Sequence, residues 1–182
     1  ALADHHWVYL AQRSRSRTWF RLQHGDRALA DELRERLDKA EYFGENLMRF
    51  FLTLIADTRE SEDNARPEFL VNPATGERLE FDRYYPVQRV AFEFNGPQHY
   101  SAVGKFTEKE VAAQRKRDQV KRRICKERGI ELVVVHASDL TLVGMLRRVG
   151  DRLPRRMLRG LKRTIRFLNR CVLRYQAAVA GA

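Results

Sequence analysis

Cysteine is scarce in this chain. Cys125 and Cys171 are the only two in 182 residues, and neither belongs to a C-x-x-C pair. That excludes a disulfide framework and a zinc knuckle. Two isolated thiols fit a reducing compartment, so a cytoplasmic location is expected. Long apolar runs are also lacking: none approaches the ~18 residues a membrane span needs. No secretory leader pattern is visible, and no membrane partner is expected. Internal repeats and low-complexity tracts are absent. Acidic residues are in deficit, with 24 Asp and Glu against 35 Lys and Arg and a net charge of +11.

What is present is a globular composition. Hydrophobic residues make up 43% of the chain, enough to bury a core. The length suits one domain with a helical appendage. The excess positive charge is concentrated: Gly144 to Tyr175 hold eleven Lys and Arg against one acid, whereas the other 150 residues hold 24 basic against 23 acidic. Uncompensated cations on one helix repel each other unless something anionic neutralises them. The segment therefore predicts a nucleic-acid contact surface; the plainer alternative is a solvated helix face.

Periodicity predicts the elements. Apolar residues at spacing three and four over 26–57 indicate a helix, divided near Gly44. Residues 68–72 and 77–85 read as strands around the turn Asn72-Pro73-Ala74-Thr75-Gly76. A third strand covers 89–95 after a short turn. Thr107 and Glu110 form a capping box for a helix running to Arg128, where Gly129 fits the C-cap. Ile130 to His136 reads as a strand buried on both faces. Ser138 can cap a helix to Val149, and Pro154 suits the first turn of a last helix over 154–179. On that helix Arg155, Arg159, Lys162, Arg163, Arg166, Arg170 and Arg174 form a basic ridge beside an apolar stripe. The predicted class is α/β, more closely an α+β mixed sheet flanked by helices. The expected parts are an unassigned N-terminal arm (1–25), a core domain (26–143) and a basic helical extension (144–182).

The chemistry is expected on the strands. In the second strand Glu80, Asp82 and Tyr84 share a face; in the third, Ala91, Glu93 and Asn95 do. If the turn centres between Val87 and Gln88, Asp82 and Glu93 lie opposite each other on strands ~4.8 Å apart. Two carboxylates that close repel unless one is protonated or a cation bridges them. Mg²⁺ (or Mn²⁺), held by a few carboxylate oxygens plus waters, would resolve the repulsion. The bland alternative is a pair of solvent-facing acids. Against it, Glu93 interrupts an apolar strand, where an unpaired acid is costly. Gln98 and His99 follow on a rigid turn, and His99 could move a proton near neutral pH. Asp118 and Lys121 share a face of the next helix, as an ordinary ion pair would.

The stretches LEFDRYYP, VAFEFNGPQHY and RDQVKRRICKERGIELVVVHASDL resemble the PD-(D/E)xK, or restriction-endonuclease-like, superfamily. The nearest branches are the very-short-patch-repair endonucleases and homing endonucleases with an E-D-x-H-D signature. The resemblance covers about residues 41–140. It implies a helix glutamate at Glu45, metal-binding acids at Asp82 and Glu93, a Q-H element at Gln98 and His99, and a helix aspartate at Asp118. The implied chemistry is metal-dependent hydrolysis of a phosphodiester. One departure stands out: the usual lysine two residues after the second acid is Asn95 here. His99 is the favoured replacement, and a migrated lysine such as Lys121 is the other.

The expected function is therefore a Mg²⁺-dependent DNA endonuclease, of nicking or repair type, acting on double-stranded DNA. The alternative is a non-catalytic module on the same fold that binds RNA or DNA; RAP-type domains share a similar E-x-D-G-P-x-H stretch. A third reading lays the last helix on an anionic membrane, but its few aromatics argue against it. The chain opens at Ala1 rather than Met, which is expected of part of a larger protein, and the last helix's apolar stripe offers a homodimer contact.

Overall fold

The computed structural model describes residues 25–31, 33–35, 42–58, 60–96 and 108–180. The expected N-terminal arm, the capping residue Thr107 and the Gln98–His99 turn lie outside the described residues. The architecture is mixed α/β; the described residues form a four-stranded mixed sheet and five α-helices. The helices are α1 (residues 25–31 and 33–35), α2 (Phe43–Ile55), α3 (Glu108–Glu127), α4 (Leu142–Val149) and α5 (Lys162–Ala180). The strands are β1 (Glu62–Ala65), β2 (Phe81–Tyr85), β3 (Val90–Asn95) and β4 (Glu131–His136). The chain divides into two compact units. One unites the residues before Glu60 with those from Leu140 onward; the other is the sheet unit, Glu60–Asp139.

In the sheet unit the strand order is β1-β2-β3-β4. β1, β2 and β3 are antiparallel neighbours, and β4 runs parallel to β3. A parallel neighbour needs a crossover, which α3 supplies. Residues 68–72 do not form the expected strand. Phe69 sits in a turn, and only Val71 bridges Arg78, because Pro67 and Pro73 withhold donors from a ladder. The outer strand is Glu62–Ala65 instead, a polar segment whose exposed face carries no alternation to read.

The β2–β3 turn ends at Arg89, which has φ 54°. Its backbone carbonyl accepts from Glu131 N–H at 2.9 Å, and its guanidinium donates to the carbonyls of Arg128 and Gly129. A cation on the last carbonyls of α3 matches the negative end of the helix dipole. Gly129, with φ 63°, closes α3 as the sequence predicts. Its N–H reaches Lys126 O at 3.2 Å and that of Ile130 reaches Cys125 O at 2.8 Å, the Schellman arrangement. α3 then packs Ile124 and Cys125 against Leu70, Leu79, Phe81, Tyr84 and Ala91 of the sheet unit. Each large apolar side chain buried there contributes about 2 kcal/mol.

In the helical unit α2 packs against α4 and α5. The last helix starts at Lys162, not at Pro154. Residues 154–156 are held in extended form by α2's end: Arg155 bridges Ala56, and Arg156 N–H donates to Ile55 O at 2.8 Å. Gly160, at φ 90°, turns the chain into the helix. Arg155 and Arg159 thus leave the expected helical ridge. The α5 N-terminus is capped from α1. Asp26, 3% exposed, accepts from Arg163 N–H, Thr164 N–H and the Thr164 hydroxyl at 2.8, 2.8 and 2.7 Å. A buried carboxylate there satisfies orphan donors and meets the positive helix end. Asp26→Ala is expected to cost about 2 kcal/mol, read as a lower urea midpoint. An unchanged midpoint would remove Asp26 from the stabilising contacts.

Candidate metal and phosphodiester site

The β2–β3 register pairs Arg83 with Phe92, Tyr84 with Ala91 and Tyr85 with Val90. Continued by one residue, it sets Asp82 opposite Glu93, as the sequence predicts. Glu93 is also the register partner of Val134 on β4. α3 crosses this face and brings Gln114, Asp118 and Lys121 to it. The sheet and helix thereby gather Asp82, Glu93, Asp118 and Lys121. Glu45 belongs to α2 in the helical unit, where it is ion-paired with Arg49.

Glu93 is the centre of the group. Its Oε2 accepts from Lys121 Nζ at 2.7 Å, with side-chain exposures of 17% and 11%. Its other oxygen, Oε1, is buried and has no hydrogen-bond partner among the described residues. Burial pushes the Glu93 carboxyl up to about 8, against an ordinary 4.5. The Lys121 ammonium pulls it down, while the charges of Asp82 and Asp118 push it further up. Asp82 Oδ2 accepts from the Phe94 N–H at 2.6 Å, so a side chain here takes a main-chain donor of β3. Asp118 Oδ1 accepts from Gln114 Nε2 at 3.0 Å, one turn earlier on α3. Lys121 Nζ also lies 5.9 Å from the Phe81 ring centroid, a weak cation–π contact.

A cavity of about 40 Å³ opens on this face, lined by Glu93, Asn95, Gln114, Asp118, Lys121 and Arg122 among others. A single water needs roughly 10–15 Å³ by that measure, so the space takes a small hydrated group. Asp82 does not line it. Among the described residues, no group of three or more His, Cys, Asp or Glu side chains is arranged to hold a metal ion. Mg²⁺, however, is commonly held by one or two carboxylates and otherwise by water. The donor set fits that pattern: an oxygen buried without a partner on Glu93, and two further acids close enough to perturb it.

Some site residues are not visible in sequence spacing. Gln114 orients Asp118 from one turn away, a position the i, i+4 rule could have flagged. His136 is the register partner of Asn95 at the end of β4. It was hidden at the end of an apolar strand, and only the parallel register places it beside the site. Cys125 is no candidate: burial and nearby Glu93 push its thiol up to about 11, far from a reactive thiolate.

The six basic residues expected to meet nucleic acid are all exposed. Lys162, Arg163, Arg166 and Arg170 share one side of α5, and Arg155 and Arg159 lie in the segment before it. Arg155 is occupied by Asp151 at 3.2 Å and by Gly150 O at 2.8 Å. Among the described residues, no helix is long and apolar enough to cross a membrane.

No protein-family model and no solved structure matches the chain. It is similar to uncharacterized viral proteins. Protein 033L of Invertebrate iridescent virus 3 is 45% identical over 73 residues, 39% of this chain and 38% of the relative. Protein 307L of Invertebrate iridescent virus 6 is 37% identical over 83 residues, 42% of each. Protein 094L of Frog virus 3 (isolate Goorha) is 36% identical over 90 residues, 48% of this chain and 58% of the relative. The chain thus spans between about two fifths and three fifths of the curated relatives it matches.

Proposed function

We propose that the chain carries a metal-dependent nuclease site on a restriction-endonuclease-like core and hydrolyses phosphodiester bonds in DNA. One observation carries this reading: Glu93, buried in an apolar strand with an unpartnered oxygen, is ringed by Asp82, Asp118 and Lys121 beside a small cavity. Gathering three acids around one lysine, with Glu93 largely withdrawn from water, costs stability without serving the core. A strongly raised carboxyl set among other charged groups is characteristic of sites that bind or react.

Glu93 and Asp82 would hold Mg²⁺, with Asp118 reached through water. When bound, that ion stabilises charge on the scissile phosphate and acidifies a water. Lys121 pulls the Glu93 carboxyl below where burial alone would set it and supplies a cation toward the phosphate. It therefore fits the role of the lysine missing at Asn95, while His99 stays a second candidate for proton transfer. Gln114 fixes the orientation of Asp118. In the helical unit, Lys162, Arg163, Arg166 and Arg170, with Arg159, would grip phosphates, contacts that position without reading sequence.

The binding-only reading rests on a specific observation as well: Lys121 already balances Glu93, so the group needs no cation to be stable. Nicking of supercoiled plasmid separates the two. Conversion to open circles with Mg²⁺ or Mn²⁺, and none with EDTA, is expected. Intact plasmid at micromolar protein with either ion would favour the binding module.

A further inference from the structure

The outward face of α3 is strongly basic. Arg115, Lys116, Arg122, Arg123 and Lys126 are all exposed. At 100° per residue, Arg115, Arg122 and Lys126 fall within about 40° of one line along the helix, with Lys116 and Arg123 alongside. Arg123 lies 3.9 Å from Glu127. Among the described residues, Arg115, Lys116, Arg122 and Lys126 have no carboxylate partner. Arg122 and Lys126 are one turn apart and repel each other, a repulsion that a bound anion would relieve.

The adjoining side of the same helix carries Asp118 and Lys121 into the acidic group. Arg122 belongs to both surfaces, because it stands on the basic line and also lines the cavity beside Glu93. We infer that α3 is a phosphate rail for a nucleic-acid strand, and that Arg122 is the residue that hands the backbone from the rail to the cavity. This rests on the nuclease reading for the fate of the strand, but not for its binding.

Three points favour nucleic acid as the occupant. The line from Arg115 to Lys126 spans eleven residues, or about 16 Å of helix. Charges along one strand of a duplex recur about every 3.4 Å of axis, so several phosphates face that length. The outward position on the line between Arg115 and Arg122 is Gln119, and Ala112 precedes Arg115; neither gives an apolar wedge for a lipid surface. Arginine also predominates over lysine among the aligned groups, and its planar fork matches phosphate oxygens.

The test uses the full chain in EDTA, so that no cleavage is required. Binding of a fluorescent 30-base-pair DNA duplex is followed by anisotropy over a range of NaCl concentrations. Arg115→Gln, Arg122→Gln and Lys126→Gln together should weaken binding at least tenfold at low salt. They should also flatten the log–log salt slope by about 2 to 3, near 0.9 per lost contact. Arg122→Lys should restore most of the loss caused by Arg122→Gln. A slope unchanged in the triple variant would overturn the rail. So would tighter binding to phosphatidylserine vesicles than to duplex. Failure of plasmid nicking with a lowered slope would overturn the nuclease reading and leave the rail standing.

Discussion

Asp82→Asn and Glu93→Gln are each expected to lower metal-dependent cleavage about 1000-fold, the loss of roughly 4 kcal/mol of charge stabilisation at the phosphate. Duplex binding in EDTA should stay within twofold of the unsubstituted protein, since neither residue is one of the cations that meet the phosphates. The two positions differ in a useful way. Asp82 also accepts the Phe94 N–H, so Asp82→Asn keeps an acceptor for that donor and spares the strand end. Glu93→Gln removes a carboxyl whose value lies near 8 and replaces it with a neutral group of the same shape. That variant should be at least as stable as the unsubstituted protein at pH 8, so its lost activity could not be blamed on unfolding. Full activity in either variant would end the metal assignment.

Lys121→Met should show the opposite pairing of effects, a stability change governed by pH. Burial raises Glu93 to about 8, from 4.5 in an ordinary setting. A raised carboxyl favours the folded state fully below about pH 4.5, and that contribution is lost as the pH climbs to about 8. Above that point the folded protein must carry the ionised carboxylate, and Lys121 is what balances it, 2.7 Å away. Removing the ammonium at pH 9 is expected to cost about 3 kcal/mol, the lower end for stranding a buried charge, because the carboxyl can escape by taking a proton. At pH 5 Glu93 is already protonated, and the loss should vanish. Thermal melts at the two pH values check this. An equal loss at both would mean that Lys121 acts through packing alone.

The register of the β2–β3 hairpin was legible in the sequence, and with it the facing of Asp82 and Glu93. Alternation fixes which side each residue takes, and the tight turn fixes which residues meet. The α3 C-cap and the existence of β4 were legible for the same reason: a positive-φ glycine and a continuous apolar run have few other uses. Burial of β4 on both faces does not hold: among the described residues β4 is the edge strand, and only its Val133 and Val135 are buried. The outer strand β1 was not, because EDNA carries no alternation and draws its pairing from β2. The start of the last helix was misplaced because Pro154 suits a helix start in isolation. Its surroundings override that preference, since the strand-like pairing of residues 154–156 with the end of α2 is a long-range contact with no local signature. The salt link between Glu93 and Lys121 was only half visible. Lys121 looked like one end of a helix-surface pair with Asp118, and the crossover geometry turned it toward the sheet instead. Gln98 and His99 lie outside the described residues, so their part in the site rests on the sequence resemblance.

The cap that Asp26 places on α5 joins groups 138 residues apart in the chain. During synthesis the sheet unit is fully translated once Asp139 has emerged, while α1 still lacks its partner. The helical unit closes only after Thr164 arrives, so its contacts are the late and slow ones. Any nascent or truncated chain ending before Lys162 would carry an Asp26 carboxylate with no helix N-terminus to cap. Such a chain could present a folded sheet unit beside helices that have not yet assembled, and proteolysis would be expected to strip it back toward residues 60–139.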